Sequence, residues 1–363
     1  MKFLPALLLA VPLTAQLNYE RMADRIVKSL ALSKGERVII RYDDGFFAQM
    51  TPLLDKRIEA AGAIVAAKLP YLEPFKSDGG RLAEALKTAD VYLWMPVRER
   101  VRVVTIPEQS MLAGWLDQGG SHREIHFHWS QGSVLADGLI TTHPEAYDLL
   151  YQNALDIDYA ALRKTQDKIE AALRADTIRI RTPAGTDLTM RVGNRPMNKQ
   201  DGDASAQRMR TAKVRVDREI ELPAGVMRVA PEEATVSGRM VIPEARMGSV
   251  VARGIRLEFV AGRITKIEAT ENLAAVQEEL RKPAAMQFRE IGIGTNPKLT
   301  VVPGNKVLPY FGYGSGVLRM SLGDNEEIGG TVRGAYRRWF FFPDATITVG
   351  STTIVRDGRL TLD

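Results

Sequence analysis

Two periodicities divide the chain near residue 175. Before it, apolar positions recur at helical spacing and are interrupted by short β-rich runs; after it, they recur at every second position. Residues 17–32 have a helical stripe that Ser33-Lys34-Gly35-Glu36 ends, and Arg37-Val38-Ile39-Ile40-Arg41-Tyr42 then reads as a strand. A helix over 46–61, a stop at Gly62 and a strand over 63–69 follow, and 81–88, 91–94, 107–116 and 124–129 repeat the rhythm. Strands alternating with helices of this length predict a mostly parallel sheet with helices on both faces. Pro144 is placed to start a long helix over 145–174, whose apolar side carries Tyr147, Tyr151, Leu155, Leu162, Ile169 and Leu173. Beyond it, 177–181 and 187–191 form a hairpin about Pro183-Ala184-Gly185, and 255–260 and 264–269 form another about Ala261-Gly262-Arg263. One helix, 272–282, interrupts this half. The expected fold is an α/β N-terminal domain with a mostly parallel sheet, 17–143, joined by a long connecting helix, 144–175, to a β-rich α+β C-terminal domain, 176–363.

Residues 1–16 stand outside that pattern. Lys2, an apolar run over 3–13 and Thr14-Ala15-Gln16 read as a signal peptide, so the expectation is a secreted or periplasmic protein. The run is far shorter than the roughly 20 residues that span a bilayer, so no membrane anchor is expected.

Composition narrows the chemistry. The 363 residues include no cysteine, which excludes disulfides, thiolate catalysis, Cys-ligated zinc and iron–sulfur clusters. The only histidines are His122, His126, His128 and His143, so the β-rich half has no imidazole. Residues 1–175 carry 21 Lys plus Arg against 22 acids, and 176–363 carry 28 against 22. That excess is spread along strands without a basic run, and with an export signal it argues against nucleic acid as a partner. No Gly-x-Gly-x-x-Gly turn, phosphate loop or Gly-x-Ser-x-Gly elbow is present; Ser315 in Gly314-Ser315-Gly316 reads as a glycine-rich turn. Trp339-Phe340-Phe341-Phe342 reads as a buried strand.

Four blocks in order resemble the thermophilic metallo-aminopeptidases of the aminopeptidase T and aminopeptidase S type. They are Gly185-Thr186-Asp187-Leu188-Thr189 with Gly193-Asn194-Arg195-Pro196, then Leu222-Pro223-Ala224-Gly225 with Ala230-Pro231-Glu232-Glu233, then 290–297, then Glu326-Glu327-Ile328-Gly329-Gly330-Thr331. The resemblance implies peptide hydrolysis by two divalent metals held by two Glu, two His and an Asp, and it implies a homodimer. Carboxylates and neutral imidazoles suit that task because they hold both ions and leave positions open for water and substrate. This chain departs from the set. Val226 stands where the first Glu is expected, Arg333 where a His is expected and Arg338-Trp339-Phe340 where His-x-Asp is expected, leaving Glu290 as the one matching ligand.

The expectation is therefore a degenerate, non-catalytic relative with no cofactor, binding a peptide or small anionic ligand in the old cleft through Arg228, Glu290, Arg333, Arg337 and Arg338. The alternative is an active, divergent aminopeptidase that uses zinc, cobalt or manganese at a relocated site. His126 and His128, on one face of a strand, would supply it with help from Glu290.

Overall fold

The computed structural model describes residues 17–71, 79–96, 106–129, 131–142, 147–301 and 307–362. The segment read as a signal peptide, 1–16, and His143-Pro144 lie outside these residues.

The first half folds as its pattern predicts. Helix Tyr19–Leu30 turns Met22, Ala23, Ile26 and Leu30 inward, and strands Arg37–Tyr42, Ile64–Pro70, Val91–Met95 and Arg123–Phe127 form a parallel sheet. Burial of Val38, Ile40, Val91, Leu93, Ile125 and Phe127 makes one continuous apolar face, the main favourable term for such a sheet. The region read as one helix over 46–61 is two, Asp44–Phe47 and Thr51–Ala60, because Pro52 opens the second in its first turn.

The sheet has a fifth strand, and it comes from the other half. Glu219–Leu222 pairs in parallel with Arg123–Phe127, giving the spatial order 219–222, 123–127, 91–95, 37–42, 64–70. The division at 176 is therefore crossed by a strand, and the core of the first sheet includes Ile220, Leu222, Ala224 and Val226.

The connecting helix is likewise two in the described residues, Asp148–Leu155 and Tyr159–Ala175. Asp158 caps the second by accepting from the amides of Ala160 and Ala161 at 2.9 and 3.1 Å, so the acidic break at Asp156-Ile157-Asp158 restarts the helix instead of continuing it.

The second half is two antiparallel sheets over a shared apolar core. Five strands run in the order Arg337–Phe342, Leu318–Gly323, Phe288–Gly294, Val226–Val229, Met197–Gln200. Eight more include both predicted hairpins, with helix Leu273–Glu279 packed beside them. Among the described residues no helix is long and apolar enough to cross a membrane.

Leu222-Pro223-Ala224-Gly225 carries the chain from one sheet to the next. At Gly225, with φ +143°, an added Cβ would lie 2.4 Å from the Cβ of Asn296, so only glycine lets the two backbones approach. Asn296 uses that closeness, donating from Nδ2 to the carbonyls of Ala224 at 2.7 Å and Ala154 at 3.0 Å.

Candidate functional site

Two polar clusters meet where the parallel sheet faces the β-rich half. The first follows from strand alternation across three neighbours. Register pairs Tyr92 with Glu124 and Trp94 with His126; on the far side it pairs Glu219 with Glu124 and Glu221 with His126. Side chains at every second position share a face. These six therefore form one patch, while Leu93, Ile125, Phe127, Ile220 and Leu222 point to the apolar core behind.

On that patch His126 Nε2 hydrogen-bonds Glu124, and its Nδ1 lies 3.3 Å from Glu221 Oε1. His128 Nε2 lies 3.4 Å from Glu221 Oε2. Trp94 meets both imidazoles edge-on, with ring centroids 5.0 and 4.9 Å away. Burial alone would lower the His126 pKa, but Glu124 and Glu221 outweigh it and hold the pKa well above the usual imidazole value. Burial would likewise raise Glu221, yet His128 and His126 bring it down to about 2. Glu219 shifts the other way, up to about 7, through burial and then the charges of Glu124 and Glu327.

Gln200 sets the position of Glu221. Its Oε1 accepts from the Glu221 amide at 2.8 Å and its Nε2 donates to the Glu219 carbonyl at 2.9 Å, as a neighbouring strand would.

The second cluster surrounds Glu290. Strand Phe288–Gly294 puts Ile291 and Ile293 into the β-rich core and Glu290 on the opposite face, fully buried. Oε2 accepts from Arg228 Nε and Nη2 at 3.1 and 2.9 Å. Oε1 accepts from Trp339 Nε1 at 2.9 Å and from Arg319 at 3.4 Å, with Arg289 Nη1 at 2.7 Å. Gly292 makes room: a Cβ there would stand 3.3 Å from Arg319 Nε. Burial would raise the Glu290 pKa, but Arg228, Arg289 and Arg319 hold it well below the carboxylate range. Glu327 ties this cage to the cleft by pairing with Arg289 and Arg337 and lying 3.6 Å from Arg228.

Between the clusters lies a cleft of about 400 Å³. Tyr92, Trp94, Glu124 and His126 line one wall, helix Ile106–Asp117 a second, and Arg215, Glu327 and Arg337 a third.

The sequence-predicted residues therefore separate. Arg228, Glu290 and Arg337 belong to one network. Arg333 lies outside it, with 80% of its side chain exposed and a 2.7 Å ion pair to Glu326. Arg338 points to the opposite face of its strand from Arg337, where it donates to the Arg246 carbonyl and lies 3.7 Å from Glu279. His126 and His128 do share a face, but the carboxylate that joins them is Glu221, since Glu290 is engaged by guanidiniums. Arg289, Arg319 and Glu221 were not singled out in the sequence. The only signal for Glu221 is Glu-Ile-Glu alternation before Leu222-Pro223, which carries no mark of its partner strand.

The metal set implied by the aminopeptidase resemblance does not fit the β-rich half. Both oxygens of Glu290 are taken, Val226 is packed in an apolar core, and a cation there would face three guanidiniums.

The fold is shared with two solved structures. A 2,5-dihydroxypyridine dioxygenase from Pseudomonas putida KT2440 is 16% identical, with a TM-score of 0.63 over 96% of this chain and 99% of that one. Wild-type AmpT, an aminopeptidase T from Thermus thermophilus, is 14% identical, with a TM-score of 0.60 over 95% of this chain and 100% of that one. Identities this low establish the fold alone, so the likeness to aminopeptidases is one of architecture. No curated protein matches the sequence. The family described as NicX, 2,5-dihydroxypyridine 5,6-dioxygenase, matches residues 139–362, which spans the Arg–Glu cage, the cleft's third wall and the strand that brings Glu221 to the histidines. More than half of the sequence thus carries that family's pattern, and the chain belongs to it.

Proposed function

We propose that this protein binds a small organic anion, with a carboxylate or ring hydroxylate, in the cleft between its two halves, and that it does not hydrolyse peptides through the β-rich half. The arginine cage around Glu290 carries this reading. Where the aminopeptidase resemblance calls for two cations, the chain supplies its own positive charge as Arg228, Arg289 and Arg319. Arg337 extends that charge to the cleft wall, its side chain 36% exposed, opposite the aromatic surface of Trp94 and Tyr92. A guanidinium facing an aromatic wall suits a planar anion, because the fork binds two oxygens while the ring covers the ligand's face. The dihydroxypyridine acted on by the named dioxygenase is one such molecule, which makes it a first ligand to try. The leader at 1–16 supports a secreted or periplasmic location for this activity.

The test is calorimetric titration of metal-stripped protein with 2,5-dihydroxypyridine, pyridine carboxylates and dipeptides, alongside an aminoacyl-arylamide assay with zinc, cobalt and manganese. The expected result is salt-sensitive binding of at least one anion, about tenfold or more weaker in Arg337→Ala, and no arylamide turnover. Chelator-sensitive turnover, or failure of every anion to bind, overturns the reading.

A further inference from the structure

The donor geometry at the patch beside the cleft points to a metal site that the β-rich half does not provide. We infer that His126, His128 and Glu221 bind one divalent transition-metal ion, with Glu124 orienting His126 from behind. This goes beyond the anion reading and does not depend on it.

Three observations carry the assignment. One ring nitrogen of His126, one of His128 and a carboxylate oxygen of Glu221 lie within 4.8 Å of one another. Two of the spacings, 3.3 and 3.4 Å, are close to the roughly 3.4 Å that separates donors bound about 2.1 Å from one tetrahedral ion. Glu221 Oε2 is buried with no hydrogen-bond partner and faces His128 Nε2 at 3.4 Å, so an ion bound beside it would satisfy that oxygen. His126, finally, turns its other ring nitrogen to Glu124, the carboxylate–histidine arrangement that fixes the tautomer and orientation of metal-bound imidazoles.

The ligand types choose the class of ion. Two imidazoles and one carboxylate suit zinc or iron(II), whereas calcium and magnesium prefer all-oxygen sets. Three protein donors leave at least one coordination position, and His126 borders the cleft, so that position is within reach of a small ligand there. Trp94 and Phe311 pack edge-on against the imidazoles and restrict their rotation.

The full-length protein, stripped with chelator, is titrated with zinc, with cobalt(II), and anaerobically with iron(II), and metal content is measured after dialysis. The inference expects one equivalent per chain, a thermal stabilisation, and a cobalt visible spectrum of an ion with four or five ligands that include nitrogen. His128→Asn and Glu221→Gln should lose stoichiometric binding, and Glu124→Gln should bind about 10- to 100-fold more weakly. His122→Ala serves as the control, because His122 stacks on Trp115 and hydrogen-bonds its carbonyl away from the patch, and it should bind as wild type does. The wild-type cobalt spectrum reports the site even where a variant fails to fold. Absence of any metal at one equivalent, an octahedral all-oxygen cobalt spectrum, or unchanged binding in a folded His128→Asn variant overturns the inference.

Discussion

At the scale of single residues, Glu290 shows how one substitution pattern changes the chemistry of a pocket. An isolated buried carboxylate would be strongly disfavoured, but here three guanidiniums and an indole satisfy both oxygens, so the cost of desolvation is offset by paired charge. Removing the anion alone takes the carboxylate from Arg319 and leaves Arg228 and Arg289 to share Glu327. Glu290→Gln is expected to lower the unfolding free energy by about 3–5 kcal/mol, read from urea denaturation. A change below about 1 kcal/mol would mean that the arginines find other counter-charges. Val226→Glu, which restores a ligand type suggested by the aminopeptidase resemblance, is expected to destabilise without creating metal-dependent hydrolysis, because Val226 is 1% exposed within an apolar core. Of the five residues expected at one site, Arg228, Glu290 and Arg337 come together in one network while Arg333 and Arg338 lie outside it. Adjacent arginines on a strand diverge to opposite faces, and which face is inward depends on pairing that a local pattern does not carry.

At the scale of elements, the strand Glu219–Leu222 connects the two halves and builds the patch. Its neighbours in the sequence read as β-rich, yet its partner, Arg123–Phe127, lies about a hundred residues earlier. Hairpins such as 178–181 with 187–190 were legible because turn and strands are contiguous, whereas a long-range parallel pair leaves no local signal. For the same reason His126 and His128 were legible as a pair while their carboxylate was not. Gln200 is the clip that holds this strand, because its side-chain amide pairs with the backbone of Glu219 and Glu221. Gln200→Leu is expected to cost about 1–3 kcal/mol by leaving those groups unpaired, and to speed hydrogen exchange at the Glu221 amide relative to Ile220 and Leu222. Unchanged exchange would show that the sheet alone fixes the strand.

At the scale of the whole molecule, the two-part architecture was legible in the sequence, since a change of apolar period from helical to alternating is a global property. Less legible was the junction, where a crossing strand, a split helix and a glycine contact join the halves. The proposed export signal at 1–16 belongs to this scale as well: material from the natural host is expected to begin near Gln16 or Leu17, and N-terminal sequencing that finds an intact Met1 would contradict export. Guanidiniums surround both oxygens of Glu290, whereas His126, His128 and Glu221 gather at the patch beside the cleft, where the proposed metal ion would bind. Anomalous diffraction at the zinc edge, from crystals grown with zinc, distinguishes the two places. The expected map has a peak between His126, His128 and Glu221 and none within bonding distance of Glu290; a peak at Glu290, or none at the patch, rules the assignment out.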